Sequence, residues 1–364
     1  MMVVSKQHQI FFDFLRFCIG SESEIPSSLK EADWKKLYRI AQKQCLVGIL
    51  FGGIQKLPPA EVGMSKDLLL QWMLQCQMLE KANVRLNDAA IQVSEWFRRK
   101  GFRTCILKGQ GNALLYPNGL HRTPGDIDIW VEGGDKRVIS FVRSISPHEK
   151  ACYHHIEFPS YKGVEVEVHY RPSFLLCFWH NRKLQKYYER VKEEQFSHRV
   201  MLGEQGEIAI PTVEFNLIFQ LTHIFSHLMN EGIGLRQLLD YYYVLISDDL
   251  LLIRDRVQKE LKELGLWKFA GAIMYIMQDV FGMPASRLIV PPNEKYGRFV
   301  LNEVLEAGNF GKHDARNRFG RSKLGHNLQR VYRDMRLVRY FPAEAMSEPF
   351  FRVWHFFWRL KHRR

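Results

Sequence analysis

From Gln9 to about Lys100, apolar residues return every three or four positions, as in Leu69, Trp72, Met73, Cys76 and Leu79, with polar residues between them. That period lays an apolar stripe along a helix and predicts an N-terminal helical region over residues 1–100. Its last helix starts at Ser65-Lys66-Asp67, where the Ser65 hydroxyl suits an N-cap, and stops at Gly101, which can turn left-handed. The pattern then shortens. Phe102 to Leu107 is a brief apolar run, and Asp126 to Val131 alternates acidic or bulky residues with Ile127, Ile129 and Val131, so both read as strands. Asp135 to Ile145 returns to a helical period, and Cys152 to Phe158 and Gly163 to Tyr170 add two further strand-like runs. Residues 102–172 thus form an α/β unit too small for a doubly wound sheet. Beyond the basic, aromatic stretch Phe178 to Arg199, Glu207 to Pro211 predicts an edge strand, and Thr212 with Val213-Glu214 opens a long apolar helix. This divides the chain into a helical region (1–100), an α/β core (101–211) and a helical, basic C-terminal region (212–364).

Composition narrows the class. Of 364 residues, 46% are hydrophobic and 25% charged, ordinary globular values that exclude a disordered, collagen-like or simple coiled-coil chain. The six cysteines lie far apart with no C-x-x-C pair, which favours a reducing, cytoplasmic setting over structural zinc. Asp13 and Arg16 interrupt the apolar N-terminus and no small-residue cleavage site follows, so no signal peptide is expected. No run approaches the roughly 20 apolar residues of a membrane span.

The chemistry concentrates in Gly125-Asp126-Ile127-Asp128-Ile129-Trp130-Val131. On a strand of period two, Asp126 and Asp128 share one face while the isoleucines point to the other. Two carboxylates held side by side are costly unless a cation lies between them, and hard divalent ions bind carboxylate and phosphate oxygens together. A second strand places Glu165, Glu167 and His169 on one face, offering a third carboxylate. Lys108-Gly109-Gln110-Gly111 then runs from a strand into a helical stretch at Asn112 to Tyr116, where backbone amides and Lys108 could meet a phosphate. It matches neither the P-loop order nor the G-x-G-x-x-G fingerprint.

Leu107-Lys108-Gly109, Arg122, Gly125-Asp126-Ile127-Asp128 and Glu167-Val168-His169-Tyr170 together resemble the core of the DNA polymerase beta-like nucleotidyltransferase superfamily. More narrowly they resemble a bacterial group of uncharacterised nucleotidyltransferases, to whose helical segment Pro211, His223, His227 and Leu235 to Asp240 are also similar, so the likeness spans roughly residues 65 to 245. The resemblance implies an α+β fold, a small mixed β-sheet core flanked by N-terminal and C-terminal helical regions. It also implies transfer of a nucleoside monophosphate from a nucleoside triphosphate such as ATP to an unidentified acceptor, a small molecule, protein or RNA, with Mg²⁺ or Mn²⁺ bound by Asp126, Asp128 and Glu167. By the same likeness Gly109 belongs to the phosphate-side loop, and Lys108 and Gln110 would hold the triphosphate. Gln110 stands where the superfamily usually has Gly or Ser, and the insert before Asp126 is longer than usual.

Other residues admit two readings. Lys108 is a solvated strand-end lysine or a phosphate ligand, and Arg122 contacts the triphosphate or balances local charge. Glu165 reads as a surface residue and His169 as one that orients a neighbour. His223 and His227 share a helix face at four-residue spacing but lack the H-E-x-x-H glutamate, so they read as core or pocket-wall histidines. Arg236 and Asp240 read as a helical ion pair worth about 0.3–0.5 kcal/mol. The basic run Asn309 to Arg339 and the net charge of +13 suit a solvated face or an anionic partner, whether an acceptor, RNA or a membrane surface, and the aromatic tail from Phe350 to Trp358 reads as a packed helix rather than a lipid anchor, though its Lys/Arg flank would suit an interface. The competing functions are therefore a non-catalytic nucleotide- or RNA-binding module on the same scaffold and a metal-free carboxylate hydrolase using Asp126 and Glu167.

Overall fold

A computed structural model describes residues 5–59, 63–204, 206–247, 249–312, 314, 316 and 323–362. The N-terminal layer holds α1 (Lys6–Ile19), α2 (Trp34–Lys43) and α3 (Val47–Ile54) against the first half of α4 (Lys66–Arg99). Its packing is aromatic: Trp34 meets Phe14 edge-on at 5.6 Å, and Trp72 of α4 meets Trp34 and Tyr38. Ser65 caps α4 by accepting from the Leu68 amide, and the chain leaves past Gly101 at φ +80°. At 34 residues, α4 is about 50 Å long and serves two cores. Trp72 and Cys76 pack in the helical layer, whereas Leu86, Ala90, Val93 and Phe97 pack beneath the sheet.

That sheet contains β1 (Thr104–Ile106), β2 (Ile127–Val131), β3 (His155–Tyr161) and β4 (Val164–His169), in the order β1-β2-β4-β3. Between β1 and β2 lies the four-residue helix α5 (Gln110–Ala113), and α6 (Gly134–Ile145) follows β2. β2 runs antiparallel to β1 and parallel to β4, and β4 runs antiparallel to β3, so the sheet is mixed and the fold is α+β. All five residues of β2 are buried, because both faces of the sheet are covered. Ile127, Ile129 and Val131 face α4 and α6, while Trp130 packs on Phe196 and Phe215 on the other side. Asp128 shares the Trp130 side by alternation, which places it under the C-terminal helices.

The basic, aromatic stretch is helix α7 (Phe178–Ser197), which the sequence pattern did not reveal. Glu207 to Ala209, expected as an edge strand of the main sheet, forms β6 and pairs instead with β5 (Arg199–Met201) in a separate two-stranded ribbon. There follow α8 (Val213–Asn230), α9 (Leu235–Leu245), α10 (Leu250–Glu263), α11 (Trp267–Asp279), α12 (Glu294–Ala307), α13 (Lys323–Leu337) and α14 (Pro342–Lys361). Thr212 caps α8 through the Phe215 amide, as its position predicted. The chain entering α7 is held from far away, since Glu344 of α14 accepts from the Leu176 amide at 2.6 Å and the Cys177 amide at 3.0 Å.

Two expectations for the C-terminal region change. Much of the basic run turns inward: Arg316 forks onto Glu303 and Asp314, Arg336 reaches Glu303, and Arg333 is buried. Arg318 and Arg321 lie outside the described residues, as does the side chain of Lys323, leaving Lys312, Arg330 and Arg339 exposed from that run. The aromatic tail is helical but only partly packed, because Phe350, Trp354, Phe356 and Phe357 are exposed. All six cysteines are free, and among the described residues no helix is long and apolar enough to cross a membrane.

Candidate functional site

Parallel pairing of β2 with β4 sets Asp128 directly opposite Glu167, one strand away. Asp126, just ahead of β2, joins them, and one carboxylate oxygen from each of the three lies within 4.8 Å of the others. The strand period explains the grouping: Asp126, Asp128 and Glu167 share a face, while the valines and isoleucines between them anchor the sheet. Glu165, on the same strand, is exposed and outside the group.

Two cations, Lys108 and His169, face these carboxylates, with neutral imidazoles around them. Lys108 Nζ, at the end of β1, stands 3.1 Å from Asp128 Oδ2, and His169 Nε2 lies 3.0 Å from Asp128 Oδ1 and 3.3 Å from Glu167 Oε2. Lys108 also donates to His223 Nε2 of α8 at 2.9 Å, and His227 continues the contact at 3.2 Å. His223 and His227 are therefore wall residues that receive the lysine. On the far side, His155 Nδ1 is 3.4 Å from Glu167 and 3.0 Å from His154 Nε2.

The protonation pattern follows from burial and neighbours. Asp126 is pushed up to about 6, chiefly by the charge of Asp128 and then by burial. Burial also pushes Asp128 upward, but the Lys108 ammonium and the His169 hydrogen bond outweigh it and hold the carboxyl below the usual range. Glu167 behaves likewise, with His169 overcoming burial. For His169 burial acts downward, and its bonds to Asp128 and Glu167 prevail, raising it to about 9. Burial keeps His154 and His223 neutral, well below the ordinary imidazole value.

Asp128 Oδ2 is buried and meets the Lys108 ammonium at 3.1 Å. Three carboxylates against the two charges of Lys108 and His169 leave surplus negative charge, the donor set that hard divalent cations take. The three acidic residues fit such an ion.

Lys108, Asp126, Asp128 and Glu167 lie on the wall of a cavity of about 670 Å³, which continues past His154 and Phe174 to Phe351 and His355 of α14. A smaller recess of about 30 Å³ opens beside the same acidic pair, between Gly109, Asn112, Gln220 and Arg236. Gly109, at φ +69°, ψ −99°, makes the turn from β1 into α5. A helix of four residues carries little of the expected dipole, and the Gln110 side chain is buried outside both spaces, leaving its backbone for any ligand contact.

Arg122 is engaged elsewhere. Its guanidinium forks onto Asp240 of α9 at 2.7 and 2.8 Å, Tyr116 donates to the same carboxylate at 2.7 Å, and Asn83 of α4 donates to the Arg122 carbonyl at 2.8 Å. The expected Arg236–Asp240 helical pair is thereby replaced. Arg236 instead donates to the Thr123 carbonyl at 3.0 Å, and its buried Nε has no hydrogen-bond partner. Of the two arginines near the acidic strand, Arg236 keeps the unused donor. Sequence spacing could not separate them, because Asp240 finds its partner 118 residues away. The cavity residues His154, Phe174, Phe351 and His355 also went unread in the sequence, for none carries a local motif.

Known proteins give the site its context. Among curated proteins none matches the chain. A crystal structure of an antigenic nucleotidyltransferase-like protein from Paracoccidioides brasiliensis is similar at 16% identity, covering 50% of this chain and 92% of its own, with a TM-score of 0.28. The sequence model of uncharacterised nucleotidyltransferases matches residues 30–282, a span that takes in the acidic strand, the glycine turn and the helices bearing His223 and Arg236. The chain belongs to that family of uncharacterised nucleotidyltransferases.

Proposed function

We propose that this chain transfers a nucleoside monophosphate from a nucleoside triphosphate to a hydroxyl-bearing acceptor, with Asp126, Asp128 and Glu167 holding Mg²⁺ or Mn²⁺. The observation that carries the reading is the registered Asp128–Glu167 pair, joined by Asp126 within 4.8 Å at the cavity wall, three carboxylates facing only two cations, Lys108 and His169. When bound, the cations would neutralise the pyrophosphate leaving group and acidify the acceptor hydroxyl.

The remaining roles fall to the protein. Lys108 supplies an ammonium beside the acidic pair, and Gly109 lets the backbone approach a phosphate without a side chain between. Arg236 adds a guanidinium with one donor unused in the recess. Glu167, the most accessible of the three carboxylates at 34% side-chain exposure, takes the proton from the acceptor hydroxyl. The acceptor oxygen bonds to the α-phosphorus, the bond from that phosphorus to the bridging oxygen breaks, and pyrophosphate leaves.

A second reading has its own support. Lys108 and His169 already neutralise much of the acidic charge, as a site that only binds nucleotide would require. Calorimetric titration of ATP, GTP, CTP and UTP with Mg²⁺ separates the two. Nucleotide binding that is lost in chelator and in Asp128→Asn supports transfer; binding indifferent to both assigns the chain to the binding module.

A further inference from the structure

α14 has two unlike faces. One lines the large cavity through Glu348, Phe351, Arg352 and His355, and is fastened to the segment leading into β3, where the Tyr153 amide donates to His355 at 3.1 Å. The other is bare. Met346, Phe350, Val353, Phe357 and Leu360 recur at steps of four, three, four and three, forming one stripe, and Phe350 at 79% and Phe357 at 62% exposure are almost wholly in solvent. α13 leaves Leu328, Tyr332 and Met335 exposed as well.

The charges are sorted in the same sense. Every carboxylate of the hairpin is withdrawn from the surface: Glu344 binds the Leu176 and Cys177 amides, Glu348 holds Arg352, and Asp334 is half-buried. Among the described residues the exposed charges of the hairpin are all positive: Lys361 follows Leu360 at the end of the stripe, Arg339 lies past the end of α13, and Arg330 and Arg359 stand on the cavity side. An apolar stripe on a hairpin whose exposed charges are all positive complements an anionic lipid surface, where rings enter the headgroup boundary and Lys and Arg meet lipid phosphates. A second copy would bring two positively charged hairpins together with no exposed hairpin carboxylate to pair them.

We propose that the outward face of α14 docks on an anionic bilayer, the helix lying in the interface rather than crossing it. The chain's net charge of +13 adds long-range attraction. Because the opposite face of the same helix walls the cavity, docking holds that cavity beside the lipid surface. This inference stands apart from the transfer reaction and survives or fails without it.

The test is flotation of the full-length protein with vesicles of phosphatidylcholine alone and with about one third phosphatidylglycerol. Recovery is expected with the anionic vesicles and little with the neutral ones. Phe350→Glu/Phe357→Glu should lower it about tenfold or more with an unchanged thermal midpoint, both side chains being exposed. Arg339→Glu/Lys361→Glu, at two exposed cations outside the cavity wall, should abolish the preference for phosphatidylglycerol and provides a second variant. Absence of wild-type recovery, or equal recovery of a folded variant, overturns the proposal. So does a wild-type dimer in solution that Phe350→Glu/Phe357→Glu dissociates, which would assign the face to a second copy.

Discussion

Two buried charge clusters lie on either side of the turn at Gly109. In the first, Asp240 receives both prongs of Arg122 and the Tyr116 hydroxyl, and Asn83 fixes the arginine's own backbone. In the second, Asp126, Asp128 and Glu167 face Lys108 and His169, three carboxylates against two cations, at the edge of a cavity. The first cluster pairs its carboxylate fully and touches the small recess of about 30 Å³ that also reaches Asp126 and Asp128. The second carries surplus charge and opens on the large cavity. Sequence charge alone does not distinguish structural from chemical carboxylates; surplus charge beside open space does.

That contrast can be broken by substitution. Asp240→Asn should leave Arg122 buried without its charge partner and cost about 3–5 kcal/mol, read in urea unfolding, with nucleotide binding per folded molecule retained. Asp128→Asn should do the reverse, lowering transfer by about 10²–10³-fold in a single-turnover assay with a much smaller change in unfolding midpoint. Equal loss of stability from the two would erase the distinction.

The second cluster should also be the one sensitive to pH. In chelator, the folded value of His169 near 9 exceeds its ordinary 6.5, so its charge stabilises fully below pH 6.5 and that contribution is lost as pH rises through 9. The loss is about 3 kcal/mol at most, measurable in urea at pH 6 and pH 9.5, and His169→Gln should flatten it. The smallest effect is expected at the hinge between the clusters. Gly109→Ala forces a side chain into φ +69°, ψ −99°, costing about 1–2 kcal/mol and lowering nucleotide affinity in calorimetry.

What the sequence disclosed was local. Alternation in Asp126 to Val131 and Val164 to His169 exposed the strands and the three acidic residues, and Ser65 and Thr212 announced their helices through the caps the structure shows. α7 escaped because its aromatic and charged residues keep no clean period and Cys177, at its N-cap position, makes no side-chain cap. Arg122 and Arg236 could not be ranked, since only the folded chain brings Asp240 to one and leaves the other's Nε unused. The Glu207 segment was legible as a strand but not in its partner, because pairing with β5 depends on the turn between them rather than on its own pattern.

The grip of Glu344 on the entry to α7 also has a consequence for biosynthesis. Glu344 follows Cys177 by 167 residues, an interval of roughly 8–33 s at ribosomal speed. Throughout that time the Leu176 and Cys177 amides lack their carboxylate, and the cavity lacks the wall that Phe351 and His355 supply. Translation therefore delivers the acidic strand long before it delivers the enclosure, and a nascent chain holds the carboxylates in an open cleft until α14 emerges.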